Sequence, residues 1–385
     1  MRVLYICRGR PGLGHLAPCL AIDRHLTTTL ANYESAIATY GLSLDACRQR
    51  GLAPIELKFP YAGVGYPGLP VLRGLWPALS EIVEQFQPQV LVGSGEFLLP
   101  LFRLVEKVPC VLLANSRYLR TPGGYFAAIK PVLKWMHDAA DHVIDYSIDG
   151  CSSAAALPQN TEWLGPLVYA DHRPSKLDIR RALGLPDNRP IILVTKGGGE
   201  EFAKEDIAGK GSRQMQEALN TKMIDTVLQF AGTKAGLEQY FIVITGFGVT
   251  HEHAVRTVAQ HQLPNILLKL FTHEVLDFMF ASDVVVSRAG ANMIGEAVFT
   301  SRPQILIPVD VDDEQMANAS YMESHSAAVC LRTDTIDAAG FESALSSILQ
   351  DQSRAQQLVA NARGLFPQID SAVATAAKRV VAFAK

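Results

Sequence analysis

The sequence predicts an α/β protein of two doubly wound domains facing across a cleft, and three observations predict it. The chain has 385 residues, beyond the ~100 to 200 that one ordinary domain holds. Short β-rich apolar runs alternate with helical patterns along the whole length, as expected of parallel strands joined by crossover helices. The alternation also restarts after a loop, GPLVYADHRPS at 165–175, so the same kind of series is read twice.

In the first series the strand candidates are RVLYIC, ESAIATY, APIELKF, QVLVGS, CVLLANS and HVIDYS. The segments WPALSEIVEQF, LPLFRLVEKV and AAIKPVLKWMHDAA lie between them, each amphipathic and long enough for a crossover helix. The second series offers PIILVTK, YFIVITGF, NILLKLF, DVVVS and PQILIPV. After Val329 the pattern is helical, and the last segment, SAVATAAKRVVAFAK, has an apolar face that must dock. These readings divide the chain into a Rossmann-like domain over 1–164, a linker at 165–175, a second such domain over 176–367, and a C-terminal helix, 368–385, that can return to the first.

Composition removes several classes of function. Apolar residues make up 48%, charged residues 19%, and the net charge is −3, so there is no field suited to wrapping nucleic acid. The six cysteines, Cys7, Cys19, Cys47, Cys110, Cys151 and Cys330, form no C-x-x-C and several sit in strand-like runs. Neither a zinc site nor a disulfide framework is expected, and a reducing cytoplasm fits. The apolar run of MRVLYICRG is too short for a signal peptide, and no run reaches the ~18 residues of a membrane span. A cytoplasmic protein, at most peripheral to a membrane, is expected.

Ligands of open α/β sheets bind where strands end, so the loops after strands carry the functional reading. In the first, Gly12-Leu-Gly14-His15-Leu-Ala17 satisfies a dinucleotide fingerprint, G-x-G-x-x-A. A nicotinamide site also wants an acidic residue ending the second strand, where Thr39 and Tyr40 stand. His15 either faces the crevice or merely caps the following helix. In the second loop, Lys196 precedes Gly197, Gly198 and Gly199, which allow close approach of an anion or simply make a flexible turn. In the third, SRAGANMIGEAVF, a helix starting near Ala291 aims its free amides at the crevice. Gly290, Ala291 and Asn292 would hold phosphate oxygens, with Arg288 adding charge. Asn292 and Glu296, four apart, share a face, and Glu296 can accept from two ribose hydroxyls or else stand on a solvated face. In the fourth, PVDVDDEQMANAS, Asp310 and Asp312 resemble a metal-binding D-x-D but have no further ligand, so no metal is assigned. Glu314 and Gln315 read as hydrogen-bonding groups.

Together GLGHLAP (12–18), the glycine turn at 197–199, SRAGANMIGEAVFTSRPQILIPV (287–309) and EQMANA (314–319) resemble the nucleotide-sugar glycosyltransferases of the GT-B fold. The branch is that of the bacterial peptidoglycan N-acetylglucosaminyltransferase, the diacylglycerol galactosyltransferases and the antibiotic-tailoring enzymes. The resemblance implies an acceptor-binding first domain and a donor-binding second one. It implies His15 as the general base, Glu96 (an aspartate elsewhere) as the group that orients it, and Glu296 as the ribose ligand. Glu314 and Gln315 would contact the donor sugar, the backbone at Phe271 and Thr272 the base, and Gly290 to Asn292 the diphosphate. The implied reaction is inverting transfer of a hexose-type sugar from a UDP- or dTDP-linked donor to a small-molecule or lipid hydroxyl. It needs no metal or other cofactor, and the lobes would close about 165–175.

Two other readings keep the fold: a sugar-nucleotide 2-epimerase, and a non-catalytic nucleotide-sugar binding subunit. His15 and EQMANA favour transfer over the first, and two lobes in one chain count against the second. Trp76 and Trp135 can line an acceptor pocket, the lysines flanking Trp135 can meet anionic lipid, or both tryptophans belong to ordinary core helices.

Overall fold

Strand β1 (Arg2–Cys7) is buried from Val3 onward, as a parallel strand covered on both faces must be. The computed structural model describes residues 1–9, 13–57, 69–95, 99–100, 103, 107–115, 130–149, 158–197, 210–246, 249–309 and 313–384. Beyond β1 they include β2 (Glu34–Thr39), β3 (Ile55–Glu56), β4 (Val90–Ser94), β5 (Cys110–Ala114), β6 (His142–Asp145) and β7 (Thr161–Trp163). These form a parallel sheet in the order β3-β2-β1-β4-β5-β6-β7. Helices α1 (Leu16–Thr29), α2 (Leu42–Gln49), α3 (Leu69–Phe86) and α4 (Lys130–Ala139) alternate with the strands.

The second series begins with α5 (Lys176–Ala182), β8 (Ile191–Thr195), α6 (Lys210–Ala231), β9 (Tyr240–Ile244), α7 (Val249–His261) and β10 (Ile266–Lys269). It continues with α8 (Val275–Ala281), β11 (Val284–Ser287), α9 (Ala291–Phe299), β12 (Gln304–Leu306), α10 (Asp313–Ser324) and β13 (Val329–Cys330). The helices α11 (Ala338–Leu349), α12 (Gln352–Leu365) and α13 (Ala372–Phe383) follow. Its sheet is again parallel, ordered β10-β9-β8-β11-β12-β13. The fold class is therefore the expected one, two parallel sheets each flanked by helices.

The described residues of Met1–Tyr169 and Gln368–Lys385 make one compact unit, and those between Ala170 and Pro367 the other. In the first, alternate β1 residues feed two cores. Val3, Tyr5 and Cys7 pack with Leu16, Ile22 and Leu26 of α1 and Ala376 and Val380 of α13. Leu4 and Ile6 pack with Leu79 and Val83 of α3. A buried chain, Tyr5 Oη to Tyr33 Oη (2.9 Å) and Tyr33 Oη to Asp23 Oδ1 (2.7 Å), ties α1 to the sheet. The apolar face of α13 docks on α1, and Arg379 clamps it by donating to both carboxylate oxygens of Glu162 at 2.7 and 3.0 Å. In the second unit Ile192, Val194, Phe241, Val243, Val284, Val286, Ile305 and Ile307 pack with α6, α7 and α11. At the far end of that sheet Asp283 accepts from Arg180 (2.5 Å), Lys176 (2.7 Å) and the Ile191 amide (2.8 Å).

Two strands depart from the sequence reading. Thr161–Trp163 extends the first sheet as β7, and Val329–Cys330 pairs with β12 as β13 where only helix was expected. Trp135 is 50% exposed, so it is not a core residue, whereas Trp76 packs against the cluster under α3. No helix among the described residues is long and apolar enough to cross a membrane.

Candidate active site

Each sheet reverses its strand order once, between β1 and β4 in the first unit and between β8 and β11 in the second. Connections leaving two such strands go to opposite faces of the sheet and open a crevice at the carboxyl ends, where doubly wound sheets bind ligands. The loops that carry His15, Lys196-Gly197 and Arg288 to Asn292 follow β1, β8 and β11, so all three lie at these switch points.

In the first unit His15 occupies the N-cap position of α1, yet its side chain makes no capping hydrogen bond. The imidazole is half-buried. Its Nδ1 lies 3.4 Å from Ser94 Oγ at the end of β4 and 3.4 Å from Tyr146 Oη just past β6. Gly95 presses on the same edge of the ring. Its φ is +76°, and a Cβ there would come within 2.8 Å of His15 Cγ and Nδ1 and of Arg8 Cβ, so a larger residue is excluded both by conformation and by space. Burial pushes the His15 imidazole down to about 3, and the Arg8 charge beside it adds to the shift. The ring is neutral at physiological pH. Gly14 is exposed in the turn before it, while Gly12 and Glu96 lie outside the described residues, as do Gly198, Asp310 and Asp312.

In the second unit α9 begins at Ala291 with Gly290 as N-cap and no side-chain cap. Gly290 itself brings no side-chain oxygen to the opening amides of that helix, and the positive end of its dipole sits at the switch point. A Cβ on Gly290 would meet nothing within 4 Å, so the turn is open to a ligand. Ser287 Oγ, buried at the end of β11, has no hydrogen-bond partner among the described residues. Asn292 and Glu296 are both half-buried and one turn apart, with Glu296 Oε2 shielded from water. Glu296 lies beyond the first turn of α9, so it does not serve the helix dipole there. Gly197, with φ +94°, donates its amide to Thr195 Oγ1 at 3.1 Å, beside a half-buried Lys196.

Arg288 is the residue that the structure corrects. It is 2% exposed and points into the unit, away from any phosphate role. Nε donates to Asn220 Oδ1 (3.0 Å), Nη2 to the Leu219 carbonyl (2.7 Å), and Nη1 to the Ile307 carbonyl (2.7 Å) and Thr333 Oγ1 (2.8 Å). The guanidinium braces the turn after β11 against α6 and the end of β12. Asn318 of α10 completes the brace by donating to the Ala289 carbonyl at 3.0 Å. Gln315 Oε1 accepts from the Val309 amide at 3.1 Å, and Glu314 is exposed at the start of α10. Phe271 and Thr272 are half-buried just past β10, and Thr272 Oγ1 accepts from the Glu274 amide at 3.0 Å. Ser94, Tyr146, Asn220, Asn318 and Thr333 were not assigned roles from sequence. Ser94 could have been found by asking which strands flank β1, since it ends β4; Tyr146 follows β6, which does not border β1.

Residues 211–380 match the Glycosyltransferase family 28 C-terminal domain. The chain is a glycosyltransferase, and its two parallel sheets are those of the GT-B fold. It is 25% identical over 408 residues to the UDP-N-acetylglucosamine–N-acetylmuramyl-(pentapeptide) pyrophosphoryl-undecaprenol N-acetylglucosamine transferase of Symbiobacterium thermophilum, covering 99% of this chain and 96% of that one. Among solved structures it resembles a MurG of Acinetobacter baumannii (TM-score 0.60, 14% identity, 99% of both chains). It resembles equally a UDP-GlcNAc 2-epimerase of Neisseria meningitidis (TM-score 0.62, 14% identity, 98% of this chain and 100% of that one). At these identities the likeness is one of fold, and it does not separate transfer from epimerisation.

Proposed function

We propose that the protein transfers a hexose-type sugar, with inversion, from a UDP- or dTDP-linked donor to a hydroxyl of a lipid-linked or small-molecule acceptor. The observation that carries this reading is the uncapped start of α9 at the switch point of the second sheet, with open space at Gly290. Backbone amides of Gly290 to Asn292 hold the diphosphate there, and their fixed dipoles stabilise the charge that develops as it departs. Glu296 accepts from the ribose hydroxyls. The backbone at Phe271 and Thr272 meets the base edge, and Glu314 with Gln315 meets the sugar. His15, neutral at physiological pH, takes the proton of the acceptor hydroxyl as that oxygen attacks the anomeric carbon. Backbone dipoles here do what a metal ion does in other transferases, so none is required. The lipid-linked acceptor named for the Symbiobacterium enzyme supports the lipid choice. The match of GLGHLAP around His15 and of EQMANA at 314–319 to the transferase motifs favours transfer over epimerisation.

The test is thermal shift and isothermal titration with a panel of nucleoside diphosphates and their sugars, with and without EDTA, followed by product analysis. UDP or dTDP and their sugars are expected to bind equally well in EDTA. Glu296→Ala is expected to weaken donor binding by ~1 to 3 kcal/mol, and His15→Ala to abolish transfer while leaving donor affinity intact. Unchanged affinity in Glu296→Ala removes the ribose assignment, full activity in His15→Ala removes the base, and loss of binding in EDTA removes metal independence.

A further inference from the structure

We propose that Ser94 and Tyr146 are positioning residues that fix the tautomer of His15, accepting its Nδ1–H with their hydroxyl oxygens and leaving Nε2 as the basic nitrogen. The inference rests on His15 being the base. It stands on three contacts that converge on one edge of the ring: Ser94 Oγ and Tyr146 Oη, each 3.4 Å from Nδ1, and the backbone of Gly95, against which Cγ and Nδ1 are packed. Nε2 has no hydrogen-bond partner among the described residues. A hydroxyl can donate or accept, so the pair tolerates either tautomer alone. Two oxygens meeting one nitrogen, however, are both used when that nitrogen carries the proton, because a single Nδ1–H can be shared between them while a single lone pair accepts from one.

The proton balance follows. The acceptor O–H bond breaks and its proton moves to Nε2 as the oxygen bonds to the anomeric carbon. The bond from that carbon to the diphosphate breaks, and its electron pair leaves on the diphosphate. The imidazolium that results keeps its Nδ1–H between Ser94 and Tyr146, whose oxygen dipoles stabilise it. Hydroxyls bring no negative charge, so in the free protein they do not offset burial or the Arg8 cation. The low-lying imidazole agrees with that. Among the described residues the charged or titratable groups at the ring are Arg8, just past β1, and Tyr146 itself; the first turn of α1 carries no acidic residue, and Glu96 lies outside the described residues.

The decisive measurement is the 15N spectrum of His15 in the wild-type chain at pH 7.5, assigned by its loss in His15→Gln. Nδ1 is expected to be protonated and Nε2 unprotonated; the opposite tautomer overturns the proposal without any variant having to fold. Tyr146→Phe, Ser94→Ala and their combination then test the consequence. For the double variant kcat is expected to fall at least ~10-fold, with the donor KM within about twofold and the 15N signals moved toward the other tautomer. A double variant with wild-type kcat and spectrum overturns the proposal while a dead His15→Ala still upholds the base. An active His15→Ala removes the base reading itself.

Discussion

Arg288 shows what a residue's neighbours in sequence do and do not reveal. A cation just before a glycine turn invites a phosphate role, but the direction of its side chain is decided by the acceptors packed around it, and Arg288, just past β11, is buried. Here the guanidinium turns inward and its fork meets three carbonyls, an amide oxygen and a hydroxyl on three different segments. Arg288→Met is therefore expected to destabilise the second unit by at least ~3 kcal/mol, because several buried acceptors would each lose a partner at ~1 to 3 kcal/mol apiece. Urea unfolding measures this, and a variant of native stability but weakened UDP binding would return Arg288 to the phosphate. Asn292 and Glu296 were legible because helical spacing alone puts them on one face. Ser94 and Tyr146 were not, since they lie 79 and 131 residues from His15 and meet it only through the order of the strands. Glycine patterns were legible as turns, but not the reason for Gly95, which is the imidazole that occupies the space of its missing side chain.

At the scale of elements, α9 allows binding to be separated from stability. Gly290 has φ −73° and ψ 142°, which any residue adopts and which suit an N-cap, and its Cβ direction is empty. Gly290→Asp would place a carboxylate where it accepts from the opening amides of the helix. Stability is then expected to stay the same or rise by ~0.3 kcal/mol, since Asp is a slightly better N-cap than Gly. UDP affinity is expected to fall at least ~10-fold, because that carboxylate occupies the position proposed for the diphosphate and repels it. A folded Gly290→Asp protein that binds UDP as the wild type does would mean the diphosphate is held elsewhere. The elements most legible in the sequence were the buried central strands β1, β4, β8 and β11, continuous apolar runs that no solvated segment imitates. The two that escaped, β7 and β13, are half-buried edge strands of three and two residues, TEW and VC. Each exists through pairing with a neighbour already in place, and so leaves no periodicity of its own.

Across the whole molecule, a net charge of −3 says nothing about how stability responds to acid, since that depends on which groups are buried and paired. Burial pushes His15 down to about 3 and His137 down to about 4, and it also lowers His142 despite the Glu162 carboxylate beside it. In the unfolded chain these histidines take up protons near 6.5, whereas in the folded chain His15 does so only at about 3, His137 only at about 4, and His142 below its ordinary value. The unfolded state thus binds more protons across that window, and stability falls as pH drops below 6.5. The paired carboxylates act in the same direction further down. Arg379 holds Glu162 below its ordinary value, and Lys176, the Ile191 amide and Arg180 hold Asp283 below its own against the effect of burial. Their contributions are lost as pH falls through and below the ordinary carboxylate range. His15, His137, His142 and Glu162 all belong to the first compact unit, and only Asp283 to the second. Acid is therefore expected to weaken the first unit before the second, with uptake of ~two protons on unfolding between pH 6.5 and 5. Hydrogen exchange at pH 7.5 and pH 5 is expected to show protection in β1, β4 and β5 falling more steeply than in β8, β9 and β11, and His137→Gln is expected to remove about half of the difference. Parallel loss in both sheets, or none in either, would show that the buried imidazoles of the first unit do not govern its response to acid.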